Sequence, residues 1–195
     1  MENDFMEIKG RMKCFLVAGL SLWSLLAMAS PPQWQIIPKE SQLTFTASQN
    51  GSPVSGEFKV FNGAIFVDPQ DLKNSSIDIT VDINSVNTSY SELKNTLITS
   101  DWFNAKVFPK AEFKSKQIEK TGDNQYNAKG TLTIRDKSVP VTLNFSAEYN
   151  ESKGSVVGST VIKRSDFGVG QGEWAGTDEI KDDVTVSFKV AAIKK

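Results

Sequence analysis

The sequence predicts an all-β protein, an antiparallel β-barrel of about eight strands with one short helix as plug or lid. Three observations predict it. Apolar residues recur at every second position in segment after segment, and turn-forming residues separate those segments. No regular alternation of strands with helices appears, which disfavours a parallel sheet. Eight or more such strands leave two edges to hide, and closure into a barrel removes both.

Taken in chain order, residues 1–29 read as a secretory signal peptide. Lys9, Arg11 and Lys13 form a basic flank, and Cys14 to Ala27 is an uncharged, mostly apolar run. Ala27-Met28-Ala29 supplies small residues for a cut ahead of Ser30. The run has 14 residues, short of the ~20 a membrane span needs. Cleavage removes the only cysteine and leaves one domain, 30–195, with a net charge of −1.

Within that domain the expected strands are 33–37, 42–49, 54–60, 63–67, 76–85, 111–118, 125–134, 138–149, 154–163 and 183–193. The first long one carries Leu43, Phe45 and Ala47 on one face. Ile77, Ile79, Val81 and Ile83 alternate with Asp78, Thr80, Asp82 and Asn84. Val139 to Tyr149 and Val184 to Val190 show the same period. A strand turns successive side chains to opposite faces, so each segment has one apolar and one polar side. Pro140 removes a ladder donor and marks an edge or a bulge. Asn50-Gly51, Asn62-Gly63, Asp68-Pro69, Gly122-Asp123-Asn124, Arg135-Asp136 and Asn150 to Gly154 supply the turns. One stretch breaks the period: Ser91 to Phe103 places Leu93 and Leu97 four apart, and Ser91 is expected to cap a short helix there.

Composition excludes much chemistry. The chain of 195 residues has 12 Phe, no His and one Cys. Without His there is no Ser-His-Asp triad, no Cys-His pair and no imidazole metal site. Lys plus Arg is 22 and Asp plus Glu is 23, so no basic surface argues for nucleic acid. No cofactor and no bond chemistry are indicated, and the chain reads as a non-enzyme.

The alternating apolar sets face inward. The candidate lining is Phe45, Phe58, Phe66, Ile79, Val81, Ile83, Leu132, Val141, Leu143, Phe145, Val186 and Phe188. A small barrel either fills its interior with such side chains or leaves room for one ligand. An open interior walled this way favours a long apolar tail, at about 0.8 kcal/mol per buried CH₂.

Six pieces in order resemble the YceI family of exported lipid-binding proteins, over nearly all of 30–195. They are Trp34 with Ser41-Gln-Leu-Thr-Phe45, Gly56-Glu-Phe-Lys-Val-Phe61 with Gly63-Ala-Ile, and the block Ser76 to Thr88. Then come Ser100-Asp-Trp-Phe103 with Phe108-Pro-Lys-Ala-Glu-Phe113, Gly130-Thr-Leu-Thr-Ile-Arg135 with Val139-Pro-Val141, and Lys163-Arg-Ser-Asp-Phe-Gly168. The resemblance implies a lipocalin-like barrel, a tunnel for a polyisoprenoid or other long-chain apolar lipid, a transport role and a periplasmic location. It also suggests a quinone-linked membrane partner and leaves a homodimer open. Many members of that family carry His just before and at the end of the first long strand; Glu40 and Gln49 stand there instead. Those two positions bear on the lipid's head group.

Other motifs read as structure. Gly168-Val-Gly-Gln-Gly172 lacks the following helix a phosphate loop needs, so it is expected as a flexible hairpin loop. Five acids between Glu173 and Asp183 include Lys181 and lack EF-hand spacing, so they read as a solvated loop. Lys163 and Arg164 are expected in a surface ion pair rather than on an anionic head group. Trp102, Phe103 and Trp174 either pack on the barrel or form a lid. The function expected is sequestration or carriage of an isoprenoid-type lipid. The alternative is a stress-linked envelope protein with a filled barrel and a protein partner, and an enzyme acting on a lipid, such as an isomerase, ranks last.

Overall fold

The structure, a computed structural model, describes residues 30–195; the expected signal peptide, 1–29, lies outside the described residues. The strands are β1 (Gln33–Ile36), β2 (Gln42–Gln49), β3 (Ser52–Phe58), β4 (Phe61–Phe66), β5 (Ser76–Asp82) and β6 (Val86–Thr88). Helix α1 (Ser91–Leu97) follows, then β7 (Lys110–Gly122), β8 (Gln125–Ile134), β9 (Lys137–Tyr149), β10 (Lys153–Lys163) and β11 (Asp183–Lys194).

These segments form a closed antiparallel barrel of eight long strands, because three of the eight are bent and interrupted. β1 and β2 are one strand broken by a 3₁₀ turn at Pro38–Glu40, and both pair with β11. Trp34 sits opposite Lys194, and Phe45 sits opposite Val186. β3 and β4 are one strand bent at residues 59–60; β3 pairs with β2 and β4 with β1. β5 and β6 flank a second 3₁₀ turn, Ile83–Ser85, and pair with β4 and β3 respectively. The order then runs β5, β7, β8, β9, β10, β11, each beside the next.

The bends correct several sequence expectations. The strand expected at 76–85 ends at Asp82, whose carboxylate accepts from the Asn84 N–H at 2.9 Å. The Ser85 hydroxyl donates to the Asp82 carbonyl at 2.6 Å. Short polar side chains thus offer the backbone a turn in place of a ladder, and Ile83 swings into the core at 2% exposure. The strand expected from 54 begins at Ser52, because Asn50 and Gly51 (φ +50° and +77°) make a two-residue turn and the ladder resumes at once. β6 lies past the strand expected at 76–85 but within the block Ser76 to Thr88 that carries the family resemblance. The helix is shorter than expected, and residues 98–108 continue as linked turns. Ser91 is its first helical residue and not its cap; Tyr90 holds the N-cap position without a side-chain bond.

The expectation for Pro140 fits the pairing. β9 pairs with β8 along its length, Pro140 opposite Thr131, but with β10 only from Tyr149 to Asn144. Past that point the two strands part, so Pro140 faces an edge on the β10 side. Phe167 sits at the base of this gap, 1% exposed.

Candidate functional site

The inner faces of these strands enclose a cavity of about 570 Å³, within the range of small-molecule and lipid pockets. Its wall is overwhelmingly apolar. One end is covered by α1 and the segment 164–182. There Leu97, Trp102, Phe167 and Val169 pack with Ile83, Val86, Ala111 and Ile134. At the other end Phe113, Ile118 and Ala128 pack with Leu72, Ile77 and Phe145.

Eleven of the twelve residues expected to line the interior do so: Phe45, Phe58, Ile79, Val81, Ile83, Leu132, Val141, Leu143, Phe145, Val186 and Phe188. Phe66 does not. Its strand neighbours Phe61, Ile65 and Val67 face the cavity, and period two puts Phe66 on the opposite face. The Phe61-Gly63-Ile65-Val67 alternation carries that signal; the glycine in its middle hides it. Phe113 and Ile118 were also missed. Both are buried and both line the cavity, although they are five positions apart and an unbroken pleat would put them on opposite faces. β7 has a register shift between Ser115 and Gln117, and the extra residue flips the inward parity.

Aromatic contacts run along the wall near α1. Phe45 and Phe58 lie 5.7 Å apart, and Phe58 meets Phe103 edge-on at 5.9 Å. Trp102 is 7% exposed and faces Trp174 at 5.9 Å. The three residues weighed as lid or packing are both at once, since Trp102, Phe103 and Trp174 pack on the barrel and line the cavity. Polar lining at this end includes Ser48, Gln49, Glu92, Thr96, Thr160 and Arg164. Gln49 therefore reaches the cavity, whereas Glu40 lies outside it and pairs with Lys153 at 2.8 Å.

Arg164 departs most from expectation. It is 3% exposed, in no ion pair among the described residues, and every N–H of its guanidinium donates to a backbone carbonyl. Nε donates to Lys181 (3.3 Å), Nη1 to Val169 (3.1 Å) and Gly170 (3.2 Å), and Nη2 to Gly176 (2.7 Å) and Ile180 (3.0 Å). Its guanidinium also lies 6.0 Å from the Trp102 ring. The glycine-rich segment is thus a fastened cap and not a flexible hairpin. Gly168, Gly170 and Gly172 all have φ between +62° and +80°, the backbone reason for glycine there. The N–H groups of Gly170 and Gln171 donate to the Asp101 carbonyl at 2.8 and 2.7 Å, tying the cap to the turns after α1. Arg135 fastens the same junction, donating to the carbonyls of Trp102 and Gly168. Asp182 closes the base of the cap. Burial alone would raise its carboxyl, but hydrogen bonds from the Ser165 N–H and hydroxyl, with the Arg164 and Lys163 charges, hold it below its ordinary value.

A sequence model described as the YceI-like domain matches residues 34–192. A curated UPF0312 protein of Vibrio cholerae is 27% identical over 126 residues, covering 60% of this chain and 66% of the relative. Protein YceI of Salmonella arizonae is 33% identical over 88 residues, covering 45% of this chain and 46% of the relative. The chain thus spans just under two thirds of the first relative's length and about half of the second's. Among solved structures, Burkholderia cenocepacia BcnA is 32% identical with a TM-score of 0.77, covering 80% of this chain and 98% of that one. The Campylobacter jejuni YceI protein is 31% identical with a TM-score of 0.67, covering 74% and 86%. A polyisoprenoid binding domain from Saccharophagus degradans, implicated in plant cell wall breakdown, shares the fold at 16% identity and a TM-score of 0.66, covering 84% and 99%.

Proposed function

The chain belongs to the YceI-like domain family, and from that premise we propose that it is an exported carrier of a long-tailed, isoprenoid-type lipid. The observation that carries the proposal is the open cavity of about 570 Å³ with an apolar wall. A tail that moves from water into this bore gains about 0.8 kcal/mol per buried CH₂, or roughly 8 kcal/mol for ten such groups, before the costs of ordering it. The binding of polyisoprenoid by the Saccharophagus degradans domain supports the same class of ligand here.

In this reading the tail occupies the bore, and the head stays at the α1 end, where Gln49, Glu92 and Thr96 offer hydrogen bonds. Removal of residues 1–29 and a periplasmic location belong to the proposal, as do binding without bond chemistry and delivery to a quinone-linked membrane partner. A homodimer remains compatible with it. The alternative of a filled barrel that acts through a protein partner is disfavoured by the open bore.

The test is direct. The protein is purified from its native host, weighed intact under native conditions and then extracted with organic solvent for mass spectrometry. About one lipid per barrel, with a long branched tail, is the expected result. Protein that arrives without stoichiometric lipid would sink the proposal.

A further inference from the structure

Five glycines lie within the strands at positions whose parity faces the bore: Gly56, Gly63, Gly130, Gly154 and Gly158. Each has a large apolar side chain over it. A Cβ at Gly56 would stand 2.5 Å from the Phe45 ring tip, one at Gly63 2.6 Å from Ile79 Cδ1, and one at Gly130 2.6 Å from the Phe113 ring tip. At Gly158 the same atom would meet Phe188 at 2.6 Å, and at Gly154 it would meet Trp34 at 3.3 Å. The ladder explains the pairing. Phe45 is registered directly opposite Gly56, Ile79 opposite Gly63, and both Phe145 and Phe188 opposite Gly158. None of the five has positive φ, so backbone conformation does not require glycine at these sites.

Glycine in a strand interior weakens the ladder and marks a close approach. Here what approaches is a side chain of a nearby strand, together with a backbone carbonyl that a Cβ would meet first at Gly130 (Lys114) and Gly158 (Asn144). With no Cβ in the way, the ring lies down on the wall. With a Cβ there, the ring must swing toward the axis, where the cavity is.

We propose that these glycine–ring pairs set the width of the bore, and that this width is what admits a methyl-branched chain as well as a straight one. The proposal rests on the lipid-binding reading above and narrows its substrate class. A polyprenyl tail carries a methyl on every fourth main-chain carbon and is wider than a polymethylene chain. A ring swung into the bore excludes the wider chain first.

The test compares geranylgeraniol with hexadecan-1-ol, which share a main-chain length and differ in branching. Binding is read from the fluorescence of Trp34, Trp102 and Trp174, all of which line the cavity. Gly56→Ala is the informative variant, because its new methyl first meets the movable tip of Phe45, at 2.5 Å, with the Asn87 carbonyl farther off at 3.0 Å. Its affinity for geranylgeraniol should fall about tenfold, or 1.4 kcal/mol, and its affinity for hexadecan-1-ol less than about threefold, since a straight chain keeps most of its contacts. Adding Phe45→Leu shortens the displaced side chain and should restore the wild-type ratio. Gly154→Ala, whose tightest contact is Trp34 at 3.3 Å with Tyr149 Cβ at an ordinary 3.8 Å, should show the same preference more weakly and keeps the test open if Gly56→Ala does not fold. Gly122→Ala, in the β7–β8 hairpin outside the bore, should change neither affinity. Equal losses for the two alcohols, or no loss in either glycine variant, would overturn the proposal. Wild-type protein that binds neither alcohol would overturn the lipid-binding reading along with it.

Discussion

At the scale of single residues, Arg164 holds the most structure per side chain. Its buried charge makes no salt bridge to a carboxylate among the described residues, and it is tolerable because five carbonyl dipoles surround it, with the Asp182 charge nearby. Arg164→Met should therefore cost roughly 3 kcal/mol or more in a urea melt, since it strands those carbonyls under the cap. Arg164→Lys should fall between, having fewer donors and no planar fork. The neighbouring Asp182 predicts an acid limb. Its folded pKa lies below the unfolded one. The stability it adds is thus complete above the ordinary aspartate range near pH 4 and is lost as pH falls through the folded value. Melting curves from pH 7 downward should be flatter on the acid side for Asp182→Asn than for the wild type. Neither role was legible in the sequence. Arg164 finds its acceptors 5 to 17 positions along the chain, a pattern with no period. The absence of His was legible, and so was the reach of Gln49 to the bore, but not the place of Glu40 outside it.

At the scale of elements, alternation predicted which face of a strand turns inward wherever the strand is regular. β9 is the cleanest case: Val141, Leu143, Phe145 and Ala147 all line the cavity, while Asn144 is exposed. Val141→Asp should cost roughly 3 kcal/mol or more and abolish lipid binding, because it puts a charge on the apolar wall. Asn144→Asp, on the outer face of the same strand, should leave both the melting temperature and binding near wild type. The reading failed where a strand was irregular. The bulge in β7 hid Phe113, the glycine in β4 led to Phe66 in place of Ile65, and the 3₁₀ turns split what looked like continuous segments. Each failure has one cause, since alternation assumes an unbroken pleat, and a bulge, a bend or a missing side chain breaks it.

At the scale of the whole molecule, closure depends on β11. That one strand pairs with β10 along one side and with both β1 and β2 along the other. The seam is completed at the very margin of the described chain, where the Lys195 N–H donates to the Gln33 carbonyl at 2.9 Å. This arrangement has a consequence in time. A chain made from its N-terminus can zip β2 to β3 and β4 to β5 early, because those partners are near in sequence. The seam cannot form until Asp183 to Lys194 has been synthesised. Until then β2 waits with Leu43 and Phe45 uncovered on that side, beside a free edge of the kind that invites wrong pairing. Nonlocal pairings of this sort place refolding in the millisecond-to-second range, slow for a domain of this size. A chain ended before Asp183 should give no cooperative thermal transition by circular dichroism. β11, the last strand of this barrel in chain order, is therefore the one that decides when the cavity is walled all round.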